Sequence, residues 1–537
     1  MFKKSKNIES DLFRDILLQV GERKSMDLSY ETAWFNLFNK EVFNKIDEEI
    51  FRVIYKSHTG RPNQSIRLLV SMLILKEGLN LTDEQLFDQG RFDMRVMRAL
   101  GQKHIDSELP ATSTYYAFKK AVLEYNEENN ADLMGDVFNQ LAAGIVKSFN
   151  IQGEQHIRMD SKLFSSNIAK STRLELIIKC LQQWHESNPD QIWELDKKHQ
   201  VSLGKIIGNV AQTITYRMPK PEQNQLLQEL IEVMEGIRVR NLDDDLTKKL
   251  YTEQVEKSEN QVKPKDREEI SGNSLQSPFD IEAAYRTKGH GPKKQEVIGY
   301  VSNITETCDS KNSINIVTHI KTKNASNNDE GFFKEAIEAS ISLVGEVTEV
   351  TTDGGYNSQQ NKKYIESNPE MKWNLQNMQG DEGGYIFDWE ESKLMVTDIA
   401  TGERLEAHKT PTGKYCIKLK NRTSSKQKGR YFCKETIDNY FRRQEIKENI
   451  KYTSQSRANV ESTIHHGFYT LKNKKTKYRG LQMNHMYVVL RYTWVNFKRL
   501  LKKIEKEVFL FIFLIPQRIT NLVKPNLQFE YRELNQV

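Results

Sequence analysis

The order of strand-like and helical segments between residues 151 and 371 constrains the fold of this 537-residue chain more than any other feature. Alternating apolar and polar residues predict strands, and apolar residues spaced three and four apart predict a helix. This order predicts a mixed α/β sheet flanked by helices. The segments run strand, strand, strand, helix, strand: QHIRMDSKLFSSN (155–167), QEVIGYVSNITE (295–306), SINIVTHIKTK (313–323), EGFFKEAIEASISLV (330–344) and EVTEVTTDGGYNS (346–358).

The flanking sequence predicts several further regions. QSIRLLVSMLILKEGLNLTDEQLF has helical spacing, and Thr82 with Gln85 forms a capping box for the helix that follows. EQVEKSENQVKPKDREEISGNSLQS (253–277) is polar and is interpreted as a mobile linker or insertion. The expected regions are a helical N-terminal domain (1–150), the first part of the sheet core (151–170 and 277–371), a helical insertion with a polar linker (171–276), an inserted β subdomain (372–440), the C-terminal core helices (441–505) and a tail (506–537).

Positive charge is concentrated towards the C-terminus. The net charge is +6, and residues 411–500 hold 21 Lys and Arg against 5 Asp and Glu. Tyr, Phe and Trp are interleaved with these basic residues. Phosphate neutralisation together with flat aromatic surfaces favours a nucleic-acid-binding face. The alternative is a basic, solvated domain without such a partner.

The cysteines and the apolar runs bear on the compartment. The four cysteines are scattered without a CxxC pair, so a disulfide framework or cysteine zinc site is not expected and a reducing cytoplasm fits. No apolar run follows the first lysines, so a signal peptide is not expected. The apolar run at 508–515 is too short to span a bilayer. We therefore expect no membrane partner and a cytoplasmic protein.

Three carboxylates lie where a sheet and its covering helix could bring them together. Asp160 lies in the first predicted strand, Asp353 ends the strand VTTDGG, and Glu461 lies in a late helix. Carboxylate oxygens are the ligands that Mg²⁺ and Mn²⁺ prefer, and two such ions can promote phosphodiester cleavage. Each residue also has an ordinary explanation, since Asp before Gly-Gly is usually a turn residue and a helical Glu is usually solvated. Their spacing alone leaves both interpretations open.

The late segment RANVESTIHHGFYTLK (457–472) favours the first interpretation. On an ideal helix Arg457, Glu461, His465, Phe468 and Lys472 share one face, and this face is not an apolar core stripe. We therefore expect Arg457 and Lys472 to bind DNA phosphates beside Glu461. A simple salt bridge between Arg457 and Glu461, four residues apart, is the alternative.

The segments that carry these carboxylates resemble a known family. MDSKLFSSN, TTDGGYNS and SRANVESTIHHGFYTLK resemble the three active-site segments of bacterial insertion-sequence transposases of the DDE type. Residues 60–101 resemble the helical N-terminal domain of many of these transposases, and residues 372–407 resemble their β insertion. Arg457 and Glu461 match the R-x3-E part of the family frame Y-x2-R-x3-E-x6-K, whereas Ser454 and Phe468 occupy its tyrosine and lysine positions.

The resemblance implies an α/β fold with an RNase-H-like mixed sheet flanked by helices, an N-terminal helical domain for DNA binding and assembly, and an inserted β subdomain before the glutamate helix. It implies a transposase that binds terminal inverted repeats in double-stranded DNA as a homodimer, cleaves the element ends and joins them to target DNA in the bacterial nucleoid. Asp160, Asp353 and Glu461 would hold two Mg²⁺ or Mn²⁺ ions. The residues implied to contact DNA are Arg457, Lys472, Lys288, Lys293 and Lys294, of which the last three fit an ordinary exposed turn equally well.

Two other functions are compatible with the sequence. A transposase-derived protein could bind DNA without cutting it, although Asp160, Asp353 and Glu461 argue against this. A nuclease of the same fold could act on other nucleic acids. Only the resemblance separates transposition from that second alternative.

Overall fold

The computed structural model describes most of the chain, which forms two compact units. The first comprises Met1–Ile151, Ser310–Ile316 and Val489–Val537, and the second comprises Gln152–Asp309 and Val317–Val488. The described residues are 1–4, 16–55, 62–216, 218–258, 261–289, 291–378, 380, 382–418, 429–449 and 460–519, except for the side chains of residues 16, 293 and 508–519.

Helices build the N-terminal part of the first unit, as the sequence predicts. The predicted capping box is confirmed, because the Gln85 backbone N–H donates to Thr82 Oγ1 at 3.1 Å and the Thr82 N–H donates to Gln85 Oε1 at 2.9 Å. The helices are α1 (Ile16–Gln19), α2 (Glu22–Ser29), α3 (Trp34–Glu41), α4 (Ile66–Gly78), α5 (Asp83–Phe92), α6 (Met94–Ala99), α7 (Thr112–Asn129) and α8 (Leu133–Ser148), with 3₁₀ helices at Phe43–Lys45 and Glu48–Ile54.

Strands and further helices build the second unit. Its strands are β1 (Gly153–Ser165), β2 (Val255–Ser258), β3 (Gln261–Pro264), β4 (Ala284–Lys288), β5 (Gln295–Thr307), β6 (Val317–Asn324), β7 (Gly345–Thr352), β8 (Lys372–Leu375), β9 (Tyr385–Glu390), β10 (Lys393–Asp398), β11 (Arg404–Lys409), β12 (Tyr415–Ile417) and β13 (Arg430–Phe432). Its helices are α9 (Arg173–Ser187), α10 (Lys197–Gly204), α11 (Ala211–Tyr216), α12 (Lys220–Val239), α13 (Asp245–Gln254), α14 (Phe333–Val344), α15 (Gln359–Glu366), α16 (Lys434–Glu448) and α17 (460–468). The helix α18 (Leu481–Ile519) continues into the first unit.

The central sheet is mixed, as predicted. Its strand order is β4-β5-β1-β7-β8, and β6 also pairs with β5. Strand β1 runs antiparallel to β5 and parallel to β7, with Arg158 beside Thr351 in the parallel pair. Because the two strands run in the same direction, the residues that follow Arg158 and Thr351 lie close together.

The insertion after β1 has a hydrophobic core of its own. Buried residues from α9, α12 and α13, among them Trp184, Leu230 and Leu250, pack together. Strands β2 and β3 pair as an antiparallel hairpin, with Val255 opposite Pro264. The interpretation of residues 253–277 as a mobile linker is therefore wrong for this hairpin. Backbone pairing between the two strands compensates for their few apolar side chains.

A second, antiparallel sheet with the order β13-β12-β11-β10-β9 follows the central one in sequence. Helix α16 packs on it, where Tyr440 contacts Phe387 with ring centroids 5.3 Å apart. Phe432 lies 5.1 Å from Phe387 in the same small core. In the part of the chain that the structure describes, no helix has the length and apolar character that crossing a membrane needs.

Candidate active site

Asp160 lies in β1 opposite Ile304 of β5. The backbone N–H of Ser161 donates to Asp160 Oδ1 at 2.7 Å, and the Ser161 hydroxyl donates to Asp329 Oδ1 at 2.6 Å. Burial, together with the negative charges of Asp353 and Asp329, raises the pKa of Asp160 to about 7. The carboxyl group therefore lies beside two other acids in a poorly hydrated place.

Asp353 follows β7, two residues beyond Thr351, where the pairing of β7 with β1 stops. It caps a 3₁₀ turn, since the backbone N–H of Gly355 donates to Asp353 Oδ1 at 2.9 Å. A Cβ atom at Gly354 would come within 2.6 Å of the Asn377 carbonyl oxygen, and one at Gly355 within 2.8 Å of Asp329 Oδ2. The two glycines thus permit a close approach of backbone that larger residues would block. Asp353 is both a turn residue and a neighbour of Asp160, so the two interpretations of this aspartate are compatible.

Glu461 is exposed and lies near the start of the described part of α17. Two residues later, the Thr463 hydroxyl donates to the Glu306 carboxylate, with distances of 3.0 and 2.9 Å to its two oxygens. Glu306 is fully buried in β5 and accepts a hydrogen bond of 2.6 Å from Arg158 Nε in β1. A buried polar contact therefore fastens α17 to the central sheet close to Glu461.

The three predicted carboxylates line one cleft of about 430 Å³. Asp160 enters it from β1, Asp353 from the turn after β7 and Glu461 from α17. Lys288, one of the predicted DNA contacts, lies at the end of β4 and lines the same cleft. The cleft is large enough to hold part of a polar substrate. Both acidic and basic side chains line it.

Two lysines that the sequence did not single out also line this cleft. Lys162 lies two residues after Asp160 on the same strand, and Lys474 lies in the 3₁₀ turn Lys472–Lys474. Burial lowers the pKa of Lys162, and the positive charges of Lys474 and Lys288 lower it further. The period-2 alternation of β1 could have indicated Lys162, because it shares a face with Asp160.

Lys472 does not share a helix face with Glu461, so this part of the prediction is wrong. Helix α17 ends at residue 468, and Lys472 lies beyond it in an exposed turn. The chain leaves the helix because the Thr476 N–H donates to the Ser165 carbonyl at the end of β1, at 2.9 Å. This pairing with a distant strand overrides the local helical pattern.

The other predicted DNA contacts are partly outside the described structure. Arg457 and the side chain of Lys293 lie outside the described residues. Lys294 is exposed, and its Nζ lies 3.7 Å from Glu296 Oε1. Their contacts with DNA remain predictions.

One segment of the chain matches a known family. Residues 35–121 match the family described as Transposase domain (DUF772). The match supports a transposase. A transposase domain implies DNA cleavage and transfer in general, and the matched segment extends from α3 into α7. Neither a curated protein nor a solved structure matches the chain.

The carboxylates of the cleft are of the kind that bind a hard divalent cation, but their side chains lie too far apart to bind one together. Carboxylate oxygens are the preferred ligands of Mg²⁺, and Asp160 and Asp353 interact electrostatically. Within the described ranges, however, no three His, Cys, Asp or Glu side chains stand close enough together to hold a metal ion. Joint coordination by Asp160, Asp353 and Glu461 therefore needs at least a side-chain rearrangement.

Proposed function

We propose that this chain is the DDE-type transposase of an insertion sequence, with Asp160, Asp353 and Glu461 as its catalytic carboxylates. The observation that carries the proposal is that these residues, separated by 193 and 108 positions in sequence, line one cleft. The family match at residues 35–121 supports the same class independently, because it concerns other residues.

An RNase-H-like core is part of this proposal. It is supported by the strand, strand, strand, helix, strand order of β1, β5, β6, α14 and β7, and by their assembly into a mixed sheet. The parallel pairing of β1 with β7 stops at Arg158 and Thr351, and Asp160 and Asp353 each follow it by two residues, close enough to interact electrostatically. A later helix, α17, brings Glu461 to the same cleft, which is the arrangement that the resemblance implies.

Two Mg²⁺ or Mn²⁺ ions are the proposed cofactors, held by Asp160, Asp353 and Glu461. When bound, such ions supply charge for activating the attacking oxygen and stabilising the leaving oxygen of a phosphodiester. Asp160 fits this role because its buried, acid-rich surroundings disfavour the carboxylate form unless a cation compensates. The N–H groups of Ser161 and Gly355 orient the Asp160 and Asp353 carboxylates.

The proposed substrate is double-stranded DNA that carries the terminal inverted repeats, together with target DNA. The basic residues between 411 and 500 would neutralise phosphates, and Lys288 would do so within the cleft. Arg457, Lys472, Lys293 and Lys294 remain proposed contacts. Bringing two element ends together requires two copies of the active site, so a homodimer on DNA is the proposed assembly.

Cleavage of DNA that carries the repeats flanking the gene tests this function. With Mg²⁺, the full-length protein should cut at the element ends, and Asp353→Asn should lower the cleavage rate at least a hundredfold because it removes a charged ligand. Asp190→Asn makes the same chemical change at an exposed position outside the cleft and should cut at the wild-type rate. Calorimetric titration with Mg²⁺ should show binding that weakens in Asp353→Asn alone.

Other outcomes assign the protein to the other classes. Specific binding of the repeats without cleavage would indicate a DNA-binding protein that has lost catalysis. Cutting that ignores the repeats would indicate a nuclease. Cleavage that survives Asp353→Asn unchanged would remove the proposed site from the reaction.

A further inference from the structure

Three lysines line the cleft in addition to the three carboxylates. Lys162, Lys288 and Lys474 come from β1, from the end of β4 and from the turn after α17. The carboxylates partly balance these ammonium groups, and phosphate groups are the further anions that such a cluster attracts once divalent cations neutralise the acids.

The backbone holds the third of these lysines in an unusual conformation. Asn473 and Lys474 have φ angles of 52° and 57°, in the left-handed region that residues other than glycine seldom adopt. The turn is fixed on both sides, because Leu471 N–H bonds to the Phe468 carbonyl and Thr476 N–H bonds to Ser165. The Lys474 side chain also donates to the Gln295 side chain of β5. Residues in such conformations cluster at functional sites, where the surrounding structure maintains them.

The same cleft has an aromatic surface beside its charges. Tyr469 lines the cleft and is 55 % exposed. Its ring stacks on His465, one helical turn earlier, with an interplanar angle of 24° and a centroid distance of 6.2 Å. An exposed flat ring next to a cationic groove is the combination by which proteins bind unpaired nucleotides, because every unpaired base offers a face for stacking.

We infer that this cleft receives an unpaired stretch of DNA, with its phosphates on Lys162, Lys288 and Lys474 and a base stacked on the ring of Tyr469. In a continuous duplex both faces of a base are occupied by its neighbours, so the ring can act only on a strand end that is open or frayed. The inference rests on the proposed function for its choice of DNA, and it adds that the strand separates locally at the site of cleavage.

Equilibrium binding without any divalent cation tests this inference. Three labelled DNAs of one sequence are used: a duplex with an unpaired end, the single strand and a fully paired duplex. The full-length wild type should bind the first two more tightly than the third. Tyr469→Ala should weaken binding of the first two about tenfold and leave the paired duplex unchanged, since stacking is lost only where a base is unpaired. Tyr469→Phe keeps the ring and should restore the preference.

Lys474→Gln tests the phosphate contact separately. It should weaken binding of all three DNAs and reduce the slope of log affinity against log salt by about one. Two matched controls lie outside the cleft. Tyr216→Ala removes another exposed tyrosine, and Lys263→Gln removes a lysine paired with Glu256, and both should bind like the wild type.

The outcomes separate this inference from the proposed function. Equal affinity of the wild type for open and paired DNA, or a uniform loss in Tyr469→Ala, overturns the inference even if Mg²⁺-dependent cleavage at the repeats is observed. A preference for open DNA that Tyr469→Ala abolishes supports the inference even if no cleavage is found. Both results are available with folded protein, because the circular dichroism of each variant can be compared with that of the wild type.

Discussion

The carboxyl group of Asp160 keeps its proton to a much higher pH in the folded chain than in an unfolded one. Its pKa rises from 3.8 to about 7, first because of burial and then because of the Asp353 charge. Between these two pH values the folded state binds more protons than the unfolded state. The free energy of unfolding therefore falls as pH rises from about 4 to about 7, and it stays lower above that range.

Asp160→Asn should remove this penalty. In protein kept free of divalent cations, the variant should be more stable than the wild type at pH 8 by about 2 to 4 kcal/mol, because no charge is buried. The advantage should shrink as pH is lowered towards 4. Urea denaturation at pH 4.5, 6 and 8 measures it, with Asp190→Asn as the exposed control. An advantage that does not change with pH would contradict the assigned titration.

A local sequence pattern revealed some residues of the cleft but not others. Asp160, Asp353 and Glu461 were identified from their residue type in a strand, at the end of a strand and in a helix, and they line one cleft. Lys474 could not be found in this way. Its position depends on the pairing of residues 475 and 476 with Ser165, more than 300 positions earlier in the chain.

Helix α17 carries Glu461, and a contact on its inner face fixes it to the central sheet. Thr463 is buried, and its hydroxyl donates to Glu306, which Arg158 also contacts at 2.6 Å. A carboxylate without exposure to water needs such donors, because an unsatisfied buried charge is costly. The contact therefore controls where the first turn of α17, and with it Glu461, meets the sheet.

Thr463→Val keeps the shape of the side chain and removes its hydroxyl. We expect the free energy of unfolding to fall by about 1 to 3 kcal/mol, since Glu306 loses a buried donor. We also expect the rate of Mg²⁺-dependent cleavage under fully folded conditions to fall, because Glu461 is less well placed. Denaturation and cleavage assays on the same preparation measure the two effects.

Thr463→Ser retains the hydroxyl and should recover most of the cleavage rate. Ser462→Ala alters the neighbouring, exposed hydroxyl and should change stability by no more than about 0.5 kcal/mol. If Thr463→Val lost stability but cleaved at the wild-type rate, the contact would be structural only and would not position Glu461.

The Glu306 contact also shows why elements are easier to predict than their contacts. The alternation in QEVIGYVSNITE predicts the strand β5, and the structure confirms it at Gln295–Thr307. Nothing in that segment indicates that its last glutamate is buried. Its burial follows from the pairing of β1 with β5, which places Glu306 opposite Arg158. These two residues lie 148 positions apart in sequence. The hairpin β2–β3 was missed for a related reason, since its stability depends on pairing rather than on apolar residues.

Each compact unit is assembled from segments that are distant in sequence. The first unit joins its N-terminal helices to the part of α18 that begins at Val489. The ring centroids of Trp494 and Phe497 in that helix lie 6.0 Å and 5.2 Å from the ring centroid of Phe38. Arg491 donates to the carbonyl of Gly78 at 3.2 Å. Periodicity predicts these helices one by one, but not which of them pack together.

Gly78, at the end of α4, packs against the ring of Trp494, and its substitution tests the packing of these segments. A Cβ atom at Gly78 would come within 2.4 Å of the Trp494 ring, so one of the two groups would have to move. Gly78→Ala should lower the free energy of unfolding by about 1 to 3 kcal/mol, the usual cost of overpacking a core. Gly144→Ala in α8 is the matched control, because a Cβ atom there would meet nothing within 4 Å. The control should be neutral or stabilising by up to about 1 kcal/mol, since alanine favours a helix more than glycine does. Thermal and urea denaturation of the two variants distinguish these results, and equal stability of both would show that Trp494 does not pack against α4 in solution.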